Sequence, residues 1–354
     1  MSEIKFGVFD HLERRGDTVD GLYQGRIALV RDYEAAGFYG YHVAEHHATP
    51  LGMAPSPGIF LAAAAQATRR IHLGPLVYLL PLYNPLRLVN EICMLDQISG
   101  GRLEIGVGRG VSPFELAYYG VPFLDSREIF EEALKVVVAG LRNEHLTHRG
   151  LHYRFDGVPI ELRPAQRPNP PFWYGVTSPE SLMVAARNGM HMVSGGPIGA
   201  LKNLSALYRE ELARHKGHPE DLNPQATAPI IGAIRHIYVA AEDSEVGRVA
   251  SPAYRVFYDN LTKLWRDFRT LPAYFFTPDL EVARKGDAAI AGTAGHVRDE
   301  VGRFFENSGC NYLVLSFAWG GLSQEESQRS LERFVTKVMP QFVTDTTVES
   351  RAAD

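Results

Sequence analysis

Glu45, His46 and His47 stand where a short apolar run, 39–44, gives out. A histidine titrates near neutral pH, so it can give or take a proton during a reaction. Neighbouring side chains on a strand face opposite ways, so only one of the pair can face the axis of the sheet that ends there. This argues against a metal hydrolase, whose histidines would be spaced two apart, and leaves His46 as the candidate general acid or base. Two histidines merely hydrogen-bonded at a strand end are the plainer alternative. A second constellation is Gly106-Val107-Gly108-Arg109-Gly110. Glycines let backbone approach a ligand closely, and a guanidinium can grip a phosphate. A glycine turn with a solvent-facing arginine fits the same letters. It is not a dinucleotide fingerprint, because the third glycine would fall at Val111. Thr177-Ser178-Pro179-Glu180-Ser181 opens a helix, with Ser178 suited to the N-cap and Pro179 to the first turn. Hydroxyls and amides there form an anion site if Arg109 converges on them, whereas capping alone explains them if it does not. Glu180 would repel a phosphate unless its side chain turns away. Gly195-Gly196 fits either a close approach to a flat ligand or an ordinary turn.

These residues need elements to hold them. Apolar runs at 4–9, 39–44, 71–79, 103–107, 171–176, 190–194, 230–240 and 311–317 read as strands. Amphipathic stretches near 20–36, 57–69, 85–98, 126–142, 179–188, 198–216, 243–265 and 323–339 read as helices. Eight such pairs, with strands apolar on both faces, predict a parallel (β/α)8 TIM barrel over residues 1–342. In that architecture the site lies at the C-terminal ends of the strands. Two stretches break the repeat. Residues 143–170, rich in proline, read as an insertion before the fifth strand. Residues 266–296, containing Leu271-Pro272-Ala273-Tyr274-Phe275-Phe276, read as a lid loop over the barrel mouth. Residues 343–354 form a polar tail.

Bulk properties narrow the partners. The 354 residues are 45% hydrophobic and 22% charged, the balance of a globular enzyme with a large core. A net charge of −5 gives no electrostatic reason to expect nucleic acid or an anionic membrane. No apolar run reaches spanning length, and the two cysteines, Cys93 and Cys310, show no metal spacing. With no export signal at the N-terminus, a cytoplasmic setting is expected.

Taken in order, the landmarks resemble one family. Lys5-Phe6-Gly7, Ala44-Glu45-His46-His47, Leu80-Pro81 with Asn84-Pro85, and Leu95-Asp96-Gln97-Ile98-Ser99 match it. Gly101-Arg102, Gly106 to Gly110, Ala185-Ala186 with Gly189, Gly292-Thr293 and Val338-Met339-Pro340 continue the match. The chain is similar to the bacterial luciferase-like flavin monooxygenases over most of its length. The resemblance implies a luciferase-like barrel and a position for each role. His46 would be the catalytic base, and Arg109 would contact the FMN phosphate together with Thr177, Ser178 and Ser181. Leu76 and Val77 would be joined by a non-prolyl cis peptide beside the isoalloxazine ring. Gly108, Met192, Gly195 and Gly196 would also lie near the ring. Luciferase α subunits carry a reactive cysteine where this chain has Gly108, and a glutamate where it has Thr177. The first change opens space over the ring and the second removes a negative charge beside the phosphate. Both favour the family's oxygen chemistry over light emission from a long-chain aldehyde.

The activity so implied is a flavin-dependent monooxygenase. It would use reduced FMN from a separate flavin reductase, and O2 through a C4a-peroxyflavin, to oxidise a small apolar substrate. Phe9, Tyr78, Trp173, Phe275 and Trp319 are the aromatic candidates for the substrate pocket. A deazaflavin-dependent dehydrogenase of the same fold and a non-catalytic flavin-binding protein are the alternatives. The family's members pair through helices near the second and third strands. The small-residue run Ala62 to Ala67 lies on such a helix, so a homodimer is expected.

Overall fold

Short runs of Val, Ile, Leu and aromatic residues form the strands, and the helices between them cover the outside. The computed structural model describes residues 3–16, 18–272 and 276–343. In chain order the strands are β1 (Lys5–Asp10), β2 (Gly40–Val43), β3 (His72–Pro75), β4 (Tyr78–Leu79), β5 (Ile105–Gly108), β6 (His145–Arg149) and β7 (Arg154–Pro159). They continue with β8 (Phe172–Gly175), β9 (His191–Ser194), β10 (Ile231–Ala240), β11 (Ala289–Thr293) and β12 (Tyr312–Ser316). The parallel path runs β3-β2-β1-β12-β10-β9-β8-β5-β4, and a bridge between Leu73 and Leu103 brings its ends together. This is the expected barrel.

Three expectations need correction. The run 71–79 is two strands, β3 and β4, separated by Leu76 and Val77, which are joined by a cis peptide. The stretch 243–265 is a series of short helices rather than one, and Pro252, which lacks an amide hydrogen, sits at the start of Ser251–Leu261. The proposed lid 266–296 is too long. Leu280–Lys285 is helical, and Ala289–Thr293 forms β11, paired to the outer half of β10. A further helix, Ala294–Ser308, buries Val297, Val301 and Phe304 at helical spacing. The irregular segment is therefore Phe268–Asp279, of which Ala273, Tyr274 and Phe275 lie outside the described residues. The insertion at 143–170 contains the antiparallel hairpin β6–β7. It is fastened to the barrel where Asp96 accepts hydrogen bonds from Gln166 at 2.8 Å.

The barrel interior explains the glycines. Gly7, Gly40, Gly74, Gly106 and Gly232 share the inner face with Trp173, His191 and Tyr312. A Cβ on Gly7 would lie 1.7 Å from the Tyr312 hydroxyl, so the small residue makes room for the large one. Trp173 and Tyr312 are fully buried there, and His42 Nε2 lies 2.8 Å from the Tyr312 hydroxyl. Glu104 is buried at this level and accepts from Trp173 Nε1 at 2.8 Å and from Tyr39. Its neighbour Arg102 is spent on structure, since its guanidinium donates to the carbonyls of Ala65, Thr68 and Ile71.

Candidate active site

The segments after β2, β3, β5 and β8 meet around one cavity of about 350 Å3 at the C-terminal mouth. His46, Leu76, Val77, Gly108, Arg109, Thr177, Ser178 and Ser181 all line it. Eight of the sequence-derived site residues thus converge, although they span more than a third of the chain. Phe9, Ala44, Leu76, Val77 and Leu79 supply apolar wall. Gly108 must be glycine in this setting, because a Cβ would lie 2.5 Å from Val77 Cγ2. Gly110 turns the chain at φ +90°, a conformation side chains resist.

At one end of the cavity is a histidine–carboxylate pair. His46 Nδ1 lies 3.1 Å from Glu115 Oε1, and the same oxygen accepts the His47 amide at 3.0 Å. Glu115 is held in place by Ser112, which caps the helix Pro113–Tyr118 by accepting the Glu115 amide at 3.3 Å. Burial alone would lower the His46 pKa, but the charge and hydrogen bond of Glu115 outweigh it and raise it above 6.5. Conversely, burial alone would raise Glu115, but His46 and the donated hydrogen bonds hold it below the ordinary carboxylate range. The pair therefore favours an imidazolium facing a carboxylate. As strand alternation predicts, His47 turns the other way. Its Nε2 lies 2.9 Å from Glu45, and its Nδ1 lies 2.8 Å from the Tyr119 hydroxyl. Glu45 also accepts from the Leu79 amide and the Tyr83 hydroxyl, each at 3.0 Å, so it is a positioning residue for this loop. On the far side of His46 is a recess of about 40 Å3, walled by Leu264, Trp265 and Phe276.

The other end is rich in hydroxyls and carries both signs of charge, because Glu131 and Glu180 line it beside Arg109 and Arg127. Arg109 lies over the Phe123 ring at 4.9 Å, and no carboxylate among the described residues pairs with it. Arg127, from the helix Ser126–Arg142, lines the same end. Facing them, Pro179–Arg187 begins with a capping box. Ser178 accepts the Ser181 amide at 3.3 Å, and Ser181 Oγ accepts the Ser178 amide at 2.9 Å. The serines thus cap the helix and also line the cavity.

Other candidates lie elsewhere. Met192 is fully buried and packs outward with the helices, because His191 and Val193 take the inner face of β9. Gly195 and Gly196 are not part of the cavity wall, and the Gly196 carbonyl accepts from Arg235 at 2.7 Å. Tyr78 points outward to Glu91, and Trp173 fills the middle of the barrel below the site. Phe275 lies outside the described residues. Glu115 and Arg127 were missed from the sequence. Ser112-Pro113-Phe114-Glu115, a helix start directly after the Gly106–Gly110 turn, was the available signal for Glu115. Nothing local marks Arg127.

The barrel, the histidine–carboxylate pair and the arginine- and hydroxyl-lined cavity together form a candidate active site at the mouth. Comparison with known proteins gives the family. The model of the luciferase-like monooxygenases matches residues 4–311, and the chain belongs to that family, a class of oxidoreductases. It is 37% identical to the Sinorhizobium fredii protein y4wF over 327 residues, covering 92% of this chain and 94% of that one. It is 30% identical over 357 residues to the oxygenase component of the flavin-dependent trigonelline monooxygenase of Acinetobacter baylyi, covering 96% of each. Among solved structures, monooxygenase RslO1 from Streptomyces bottropensis superposes with a TM-score of 0.82 at 25% identity. That match covers 96% of this chain and all of that one.

Proposed function

We propose that the chain is the oxygenase component of a two-component monooxygenase that takes reduced FMN from a separate reductase and oxidises a small, largely apolar organic molecule. The observation that carries this reading is one cavity with two chemically different ends, His46–Glu115 at one and Arg109 with the Ser178–Ser181 helix start at the other. The residues fit the cofactor: apolar wall from Leu76 and Val77, no side chain at Gly108, and the Arg109 and Arg127 guanidiniums near hydroxyl groups, with Glu180 close enough to feel the charge of Arg127. Arg109 and Arg127, with Thr177, Ser178 and Ser181, would hold the phosphate. Reduced flavin, when bound, supplies the two electrons by which one atom of O2 enters the substrate and the other leaves as water.

The chain's own task is to orient, shield and move a proton. Glu115 fixes the Nδ1–H of His46, which leaves Nε2 to deliver or recover a proton. The apolar wall and the cover from Leu264, Trp265 and Phe276 exclude water from that end. Ile59, Met94 and Ile98 are exposed on the helices Pro57–Ala67 and Pro85–Ser99 and support a homodimer through those faces. Among the described residues no helix is long and apolar enough to cross a membrane, and a cytoplasmic setting belongs to the same proposal. The test is equilibrium binding of FMN and riboflavin to the wild type and to Arg109→Ala. A phosphate-selective loss supports the reading, and equal losses for both ligands contradict it.

A further inference from the structure

The histidine–carboxylate pair depends on the short helix Pro113–Tyr118, which brings Glu115 to His46. A helix of six residues has little stability of its own, so contacts outside it must hold it in place. Leu116 is buried beneath it, and Phe114 on its outer side stacks on Phe268 at 4.3 Å. The polar fastenings lie at its two ends. In the first turn, Glu115 Oε1 lies 3.1 Å from the His46 ring and accepts the His47 amide at 3.0 Å. Directly after the last turn comes Tyr119. Its hydroxyl lies 2.8 Å from His47 Nδ1, and the two rings meet edge to face at 4.8 Å. The adjacent histidines, which face opposite ways, thus grip opposite ends of one helix. His47 is itself held, since its Nε2 lies 2.9 Å from Glu45, and Glu45 is fixed by the Leu79 amide and the Tyr83 hydroxyl.

The partners fix the direction of these bonds. With the Glu45 carboxylate accepting from Nε2–H, Nδ1 of the neutral His47 ring is an acceptor, so the Tyr119 hydroxyl donates to it. Burial and the charges of Glu45 and Glu115 raise the Tyr119 pKa, which keeps that proton in place. We propose that His47 and Tyr119 are positioning residues for the His46–Glu115 pair: the chain Tyr119–His47–Glu45 fastens the helix end, and so keeps the Glu115 carboxylate within reach of His46. A reacting group stays in register only when its partner is itself held. Neither His47 nor Tyr119 is part of the wall of the cavity or of the recess beside His46, so both act through Glu115. The titratable groups that face His46 are Glu115, Glu45 and His11, whose ring lies 5.6 Å away. Against burial, Glu115 is the main influence that raises His46, so a loosened Glu115 lets the His46 pKa fall. The inference rests on the oxygenase reading for its place in the reaction, whereas the fastening itself is a property of the chain.

The test is NMR titration of the His46 ring in the full-length protein and in Tyr119→Phe, His47→Gln and His47→Leu, with FMN affinity measured on the same samples. Tyr119 is 52% exposed and Tyr119→Phe keeps the ring contact, so this variant should fold as the wild type does. It loses only the donated hydrogen bond, and its His46 should titrate at lower pH than in the wild type while FMN affinity is unchanged. His47→Gln keeps a donor for Glu45 and an acceptor for Tyr119, and should return the titration most of the way to the wild-type position. His47→Leu keeps neither and should titrate as Tyr119→Phe does. A His46 titration that does not move in Tyr119→Phe overturns the proposal, and so does a His47→Gln protein displaced as far as His47→Leu. The titration needs no flavin, so it decides the fastening on its own. A wild type that binds no FMN rejects the flavin reading alone.

Discussion

Replacing Glu115 by glutamine keeps an oxygen to accept from His46 Nδ1 and the His47 amide but removes the charge that holds His46 protonated. At the observed 3.1 Å, the bare attraction is about 5 kcal/mol at an effective dielectric of ~20. The His46 side chain is 21% exposed, so solvent screening reduces this. With the carboxylate gone, burial becomes the dominant influence and lowers the imidazole pKa. If His46 acts as the protonated donor, turnover is lost as pH rises through its pKa. Glu115→Gln should therefore move the alkaline limb of the pH–rate profile to lower pH. At neutral pH the rate should fall on the order of tenfold or more, with FMN affinity nearly unchanged. The assay is coupled product formation across pH 5.5–9, with NMR titration of the His46 ring as the direct readout. An alkaline limb and a His46 titration that both stay at the wild-type position would refute the reasoning.

Three further outcomes follow from the same geometry. Arg109→Ala should weaken FMN by about 10–100-fold, the worth of a charge-assisted hydrogen bond, while riboflavin affinity changes little. Phe276→Ala opens the apolar recess beside His46 and should raise the hydrogen peroxide released per flavin oxidised; an unchanged coupling ratio would remove Phe276 from the shielding. Stability should fall between pH 7 and pH 5. His42, His191 and His236 are each lowered by burial to about 4, so the unfolded chain binds more protons over that interval and the folded state loses ground as pH drops. Each contributes on the order of 2 kcal/mol. Glu13, raised by burial to about 7, returns a similar amount in the opposite direction; Glu45 and His46, also raised, act with it, whereas His11, lowered by burial, adds to the loss. Urea denaturation at the two pH values checks this, and equal or greater stability at pH 5 would count against it.

The features legible in the sequence were those fixed by short-range pattern. Eight apolar runs located the nine strands of the parallel path, two of them within 71–79, and strand ends located His46, Arg109 and the Ser178 cap, because a parallel barrel delivers every strand end to one face. Three kinds of information were not local. The break after Pro75 is invisible in an apolar run that continues through Tyr78 and Leu79. β11, Ala289–Thr293, is a short run of small residues outside the repeat of eight and falls inside the stretch 266–296 read as a loop, while most of the helix that follows, Ala294–Ser308, lies beyond that stretch where no element is expected. Glu115 meets His46 across 69 residues, and its position in a helix-start motif reads as capping until the fold turns it toward the imidazole. For Met192 strand alternation is itself informative, since it puts the side chain on the opposite face of β9 from His191 and Val193.

The central claim is that this mouth binds reduced FMN for reaction with O2. The direct test is anaerobic titration of the purified protein with reduced FMN, followed by rapid mixing with air-saturated buffer. The account predicts saturable binding, weakened by Arg109→Ala, and reoxidation through a transient absorbance distinct from both free reduced and free oxidised FMN. Absence of reduced-FMN binding, or binding of a deazaflavin in its place, would contradict it.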